Sequence, residues 1–151
     1  MKKFFLFFIT FLPFLSFSQT LNPVKWEGKF NALSNNEGEI ILSCKIDKGW
    51  HIYSIKPTDA GPIPTSFVFS PGSNYELVGS VIETNAQEIL DKAFDAKLWI
   101  IEEKGVFKQK IKLKNTKGFN TPIKLEFMVC NDMQCLPPKT VDLQIIVAAN
   151  K

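Results

Sequence analysis

Apolar and polar residues alternate with period two along most of this 151-residue chain, and an amphipathic helix cannot be built on that period. Val24, Trp26, Gly28 and Phe30 fall on one face of a first expected strand; Ile40, Leu42, Cys44 and Ile46 fall on one face of a second. Further strand-like runs are SFVF (66–69), YELVGSVIET (75–84), KLWIIE (97–102), GVFKQKIKL (105–113), IKLEFMVC (123–130) and VDLQIIVA (141–148). Turn chemistry separates them: NNEG at 35–38, DKG at 47–49, GPIP at 61–64, SPGSN at 70–74, EEKG at 102–105 and NTKGFNTP at 115–122. Only AQEILDKAF (86–94) has the composition of a helical turn, and it is too short to form a layer. About eight short strands with regular turns predict an all-β, immunoglobulin-like β-sandwich. Parallel α/β folds are excluded, because their strands need crossover helices.

The amino terminus belongs to a different regime. MKKFFLFFITFLPFLSFSQT opens with Lys2 and Lys3, continues with an apolar run over 4–17, and places the small residues Ser16 and Ser18 before a cleavage point. That is the pattern of a secretory signal peptide over 1–18, and the run is short of the roughly 20 apolar residues a membrane span requires. No cysteine follows it for a lipid anchor. The expectation is one domain over 19–151, with no membrane anchor after cleavage, in the periplasm or secreted.

Removing Lys2 and Lys3 lowers the formal net charge from +3 to +1, and every basic residue is lysine. Near-neutrality without bidentate guanidinium groups argues against a nucleic-acid partner. Scattered lysines suit solvated sheet edges. No serine sits in a nucleophile–histidine–acid pattern, and no glycine-rich loop opens a helix, so hydrolase and nucleotide-binding classes lack support.

Export makes the three cysteines informative, since disulfides persist outside the cytosol. Cys44 is in phase with Ile40, Leu42 and Ile46, so it reads as a small buried hydrophobe. Cys130 and Cys135 flank Asn131, Asp132, Met133 and Gln134, a four-residue connection common in hairpins. Opposed across a hairpin, their Cα atoms would lie about 4.5–5.5 Å apart, within reach of a disulfide. As a staple such a bond is poor: closing about six residues contributes only about 2 kcal/mol, against about 4.7 for a hundred. A position beside a loop also leaves both sulfurs accessible to exchange. Leu136, Pro137 and Pro138 remove two backbone donors and hold the second sulfur at a sheet edge. These features favour chemistry over structure, while an inert bridge in a binding or adaptor module stays open. Thioredoxin's C-x-x-C at a helix N-terminus is absent, so a passive couple attacked by a partner's thiolate is expected. Cys130, Met133, Cys135 and His51 could also be weighed as soft metal ligands. A structural zinc would need Cys44 to leave its apolar face, and copper(I) would leave the prolines without a role. No metal is expected.

GWHIYS (49–54), GPIPTSF (61–67), DKAFDAKLWI (91–100), GVFKQKI (105–111) and above all EFMVCNDMQCLPP (126–138) together resemble the amino-terminal periplasmic domain of the thiol:disulfide interchange protein DsbD. The resemblance implies an immunoglobulin-like thiol-disulfide oxidoreductase that needs no cofactor beyond its own redox-active disulfide. It implies Cys135 as the sulfur that forms mixed disulfides with partners and Cys130 as the one that resolves them. A cap loop with a phenylalanine covers the pair in that family, and Phe94 resembles it; the alternative for Phe94 is an ordinary core aromatic. Trp50 and Tyr53 resemble the aromatics that line the site, or else simply pack. Asp91 and Asp95 resemble its acidic groups, though a solvated loop face is the default for both. His51 reads by default as a satisfied surface or core histidine, and Met133 as an exposed loop tip or a partner contact. Full-length members carry a membrane domain and a thioredoxin-like domain after this one, and this sequence stops at Lys151. The expectation is a stand-alone monomer. Its electrons would come from a thioredoxin-like or membrane donor protein, and its acceptors would be exported disulfide-containing proteins.

Overall fold

The computed structural model describes residues 21–34, 36–59 and 61–148; the expected signal peptide and its cleavage point lie outside the described residues. Ten strands follow one another: β1 (Val24–Ser34), β2 (Glu37–Ile46), β3 (His51–Tyr53), β4 (Ser66–Phe69), β5 (Tyr75–Thr84), β6 (Gln87–Asp91), β7 (Ala96–Glu102), β8 (Lys104–Leu113), β9 (Phe119–Cys130) and β10 (Cys135–Val147). They pair into a four-stranded sheet, β1-β2-β8-β5, and a six-stranded sheet, β10-β9-β3-β7-β6, with β4 also paired to β9. Every pairing is antiparallel. The all-β, immunoglobulin-like sandwich is as expected.

The alternation sets the core. Ile40, Leu42, Cys44 and Ile46 of β2 and Phe107 and Ile111 of β8 meet Ile123, Leu125 and Phe127 of β9 and Ile145 and Val147 of β10. Trp26 fills the middle of this layer, its ring 5.6 Å from Phe107 and 5.5 Å from Phe127. Cys44 is buried here as an unbonded thiol, facing Gly105 across the β2–β8 pair. Burial pushes that thiol up to about 11 against a weaker lowering by the Gly105 backbone, so it stays protonated and unreactive.

Two expectations need correction. The described residues form ten strands rather than about eight, because β3 and β6 carry no strand-like pattern in the sequence. Three-residue β3 is buried at every position, so it carries no alternation to detect. Residues 86–94, read as a helical turn, form β6 and a reversal into β7, with Ile89 opposite Leu98 and Asp91 opposite Ala96. Pairing to an existing sheet overrides the local helix preference of a short segment.

Candidate functional site

The site lies where β9 passes into β10 at the rim of the six-stranded sheet. Cys130 and Cys135 are partners in the β9–β10 register and are joined by a disulfide with Cα atoms 4.0 Å apart, slightly closer than expected. Asn131 shapes the connection. Its Oδ1 accepts the Met133 N–H at 2.9 Å and the Gln134 N–H at 2.8 Å, while its own N–H donates to the Gln134 carbonyl at 2.9 Å. β10 is an edge strand, and its register shifts between Leu136 and Lys139, where the two prolines contribute no donors.

The sulfurs differ in access. Cys130 is 0% exposed, whereas Cys135 is partly exposed. The expectation that a loop position leaves both accessible is therefore corrected: β3 and the β6–β7 turn close over the first sulfur. Around Cys130, a small core separate from the main one gathers Tyr53, Leu98 and Ile100, with Ile89, Phe94, Ala96, Met128 and Cys135 packed against it.

The β6–β7 turn is built on Asp91. Its Oδ1 accepts the N–H groups of Ala93 and Phe94 at 2.8 and 3.2 Å, an Asx-type turn. Its Oδ2 accepts the Tyr53 hydroxyl at 2.8 Å. Asp91 is thus 2% exposed, which overturns its reading as a solvated loop residue. The turn carries Phe94, half-buried, with its ring edge-on to Tyr53 at 5.9 Å. Gly61, at φ 113°, lies under that ring; a Cβ there would stand 2.9 Å from it. A glycine is required on both counts. Lys92 and Asp132 join the two turn tips at 3.0 Å, both exposed.

The other candidates separate. Asp95 is exposed and holds the turn's positive φ of 49°, which aspartate tolerates; no contact places it with the disulfide. Trp50 packs against the main core instead of the small one. Met133 is 90% exposed at the loop tip. His51 is the residue the motif did not single out. It stands opposite Cys130 on one side and Glu102 on the other, its Nε2 3.4 Å from the Tyr53 hydroxyl and 3.5 Å from Asp91 Oδ2. The two-residue step from His51 to Tyr53 was the available signal, since such residues share a strand face. Burial lowers the His51 pKa, opposed by Asp91 and then Glu102. Burial, then the Asp91 hydrogen bond, raises that of Tyr53. Among the described residues, no group of three or more histidine, cysteine or carboxylate side chains is arranged to hold a metal ion.

A rim disulfide in an immunoglobulin-like sandwich, one sulfur sealed and the other reachable, has the access that thiol–disulfide exchange requires. The chain belongs to the family of the thiol:disulfide interchange protein DsbD, N-terminal, whose model matches residues 18–145. The fold is similar to the N-terminal periplasmic domain of ScsB from Proteus mirabilis, with a TM-score of 0.55, 17% identity, and 80% of this chain covered. This chain spans only 44% of that one. It is also similar to the complex between the DsbD N-terminal and PilB N-terminal domains from Neisseria meningitidis. That match has a TM-score of 0.51 and 12% identity, over 79% of this chain and 80% of that one. At these identities the likeness concerns the fold. No curated protein matches the chain.

Proposed function

We propose that this protein is an exported thiol–disulfide relay that cycles Cys130–Cys135 between disulfide and dithiol. The observation that carries the reading is the unequal burial of the bonded sulfurs. Exchange requires in-line access to one sulfur and departure of the other, and only Cys135 offers access. A partner thiolate attacks the Cys135 sulfur, a bond forms between partner and Cys135, and the electron pair of the broken bond leaves on Cys130. The partner's second thiolate then displaces Cys135, so the partner is oxidised and the pair is left as a dithiol. Running backwards, Cys135 attacks an acceptor disulfide and Cys130 resolves the mixed disulfide.

Phe94 is the cap in this reading. Its turn withdraws for a partner and otherwise limits attack by small thiols. The donor is a thioredoxin-like or membrane electron-donor protein, the acceptors are exported disulfide proteins, and the compartment is the periplasm. The protein works as a monomer, and the disulfide itself is the redox group. The complex solved between the meningococcal DsbD N-terminal and PilB N-terminal domains supports a protein partner for this reading.

Full burial of Cys130 favours one competing reading, an inert bridge in an adaptor module. A Cys130→Ser variant distinguishes them. A relay leaves Cys135 able to accumulate mixed disulfides with exported partners in cell extracts, resolved on non-reducing gels. No adduct, or adducts formed equally by a Cys135→Ser variant, overturns the relay.

A further inference from the structure

When Cys130 leaves as a thiolate it does so at a position 0% exposed. An unpaired charge there is costly, and the surroundings make it worse. His51, opposed to Cys130 on β3, already feels the negative charges of Asp91, Glu102 and Asp132. A proton must therefore follow the electron pair into the site. Beside Cys130 stand His51 and Tyr53 of β3, and the groups around His51 from the elements packed on it are Tyr53, Glu102 of β7, Asp91 at the end of β6 and Asp132 of the loop.

Among these, His51 has the position and the chemistry to carry the proton. Directly opposed residues of antiparallel strands project to one face with Cβ atoms about 4.5–5.5 Å apart, and His51 is opposed to Cys130. At 9% exposure it keeps an edge toward water that Tyr53, Asp91 and Cys130 lack. Imidazole exchanges protons near neutral pH, which a phenol hydrogen-bonded to a carboxylate does not. Burial leaves the imidazole neutral beside the disulfide, and a neighbouring thiolate would favour its charged form.

We propose that His51 is the proton carrier of the couple, with the Tyr53–Asp91 pair as the positioning groups that hold its ring beside Cys130. As the Cys130–Cys135 bond breaks toward Cys130, imidazole protonated from solvent gives its proton to the Cys130 sulfur and returns to the neutral form. Cys135, being partly exposed, takes its own proton from water. Two electrons enter from the partner dithiol, and its two protons are released to solvent. In oxidation His51 accepts the Cys130 proton and passes it out.

This rests on the relay reading but fails separately from it. His51 is the sole histidine, so proton NMR titration of the full protein reads it directly. One titration step is expected in the disulfide form. Two coupled steps are expected in the dithiol form, the second vanishing in Cys130→Ser. His51→Gln should slow reduction by dithiothreitol about tenfold or more and erase the inflection in its pH profile. Identical single-step titration in both redox forms of the unmutated protein overturns the inference, even where partner trapping succeeds and even where His51→Gln does not fold. An unchanged rate and profile in a folded His51→Gln overturns it as well.

Discussion

The Tyr53 hydroxyl donates to the Asp91 carboxylate at 2.8 Å, tying the strand beside Cys130 to the turn that carries Phe94. Both groups are 2% exposed, so the bond closes the site and neither partner has water as an alternative. Tyr53→Phe should cost about 1.5–3 kcal/mol, the range for a hydrogen bond to a charged group, measured by urea denaturation. The same variant should react faster with glutathione, because its turn is anchored less firmly. A loss below about 0.5 kcal/mol with unchanged reactivity would contradict the anchor.

Phe94 packs on Tyr53 and on the small core around Cys130, yet stays half-buried. Phe94→Ala should therefore cost about 1–2 kcal/mol, less than the roughly 3–5 of a fully buried phenylalanine. Reduction by glutathione should accelerate severalfold, read as the second-order rate at fixed pH. A slower or unchanged rate would assign Phe94 to packing alone.

Stability should fall on mild acidification. Burial holds the His51 pKa below its ordinary value, about 6.5. Below that value the unfolded chain takes up a proton that the native disulfide form does not bind. The contribution is complete above about 6.5 and is lost as pH drops below it. Urea midpoints should decline between pH 7 and pH 5, with a smaller decline in His51→Gln. Equal slopes in the two proteins would remove His51 as the cause.

Cys44 should take no part in exchange. Its buried thiol is pushed up to about 11, and it sits in the main core, apart from the residues around the disulfide. Cys44→Ala should cost about 1–2 kcal/mol and leave reduction rates unchanged. An aromatic disulfide reagent should find no reactive thiol in the native disulfide form and one after unfolding. Rapid labelling of the native form would show the core reading to be wrong.

The sandwich was legible because eight of its ten strands advertise themselves. In β2 every second residue from Ile40 to Ile46 is buried, and turn residues bracket the runs. β3 escaped because three residues buried on both faces show no period, and β6 because five residues with a glutamate and a leucine lean toward helix until β7 pairs with them. The cysteine pair was legible from spacing, since a four-residue connection puts its flanks in register. The role of Asp91 was not. Its burial depends on a tyrosine 38 residues away in sequence, and composition cannot report a partner brought by the fold. His51 was hidden for the same reason. Its neighbours Glu102 and Cys130 come from two other strands.

The reduction potential of the Cys130–Cys135 pair, obtained by equilibrating the folded protein in glutathione and dithiothreitol buffers, tests the central claim most directly. A working couple should lie above about −300 mV, within reach of biological dithiols. A value well below about −300 mV would mark a bridge that partners do not open, and the relay would be contradicted.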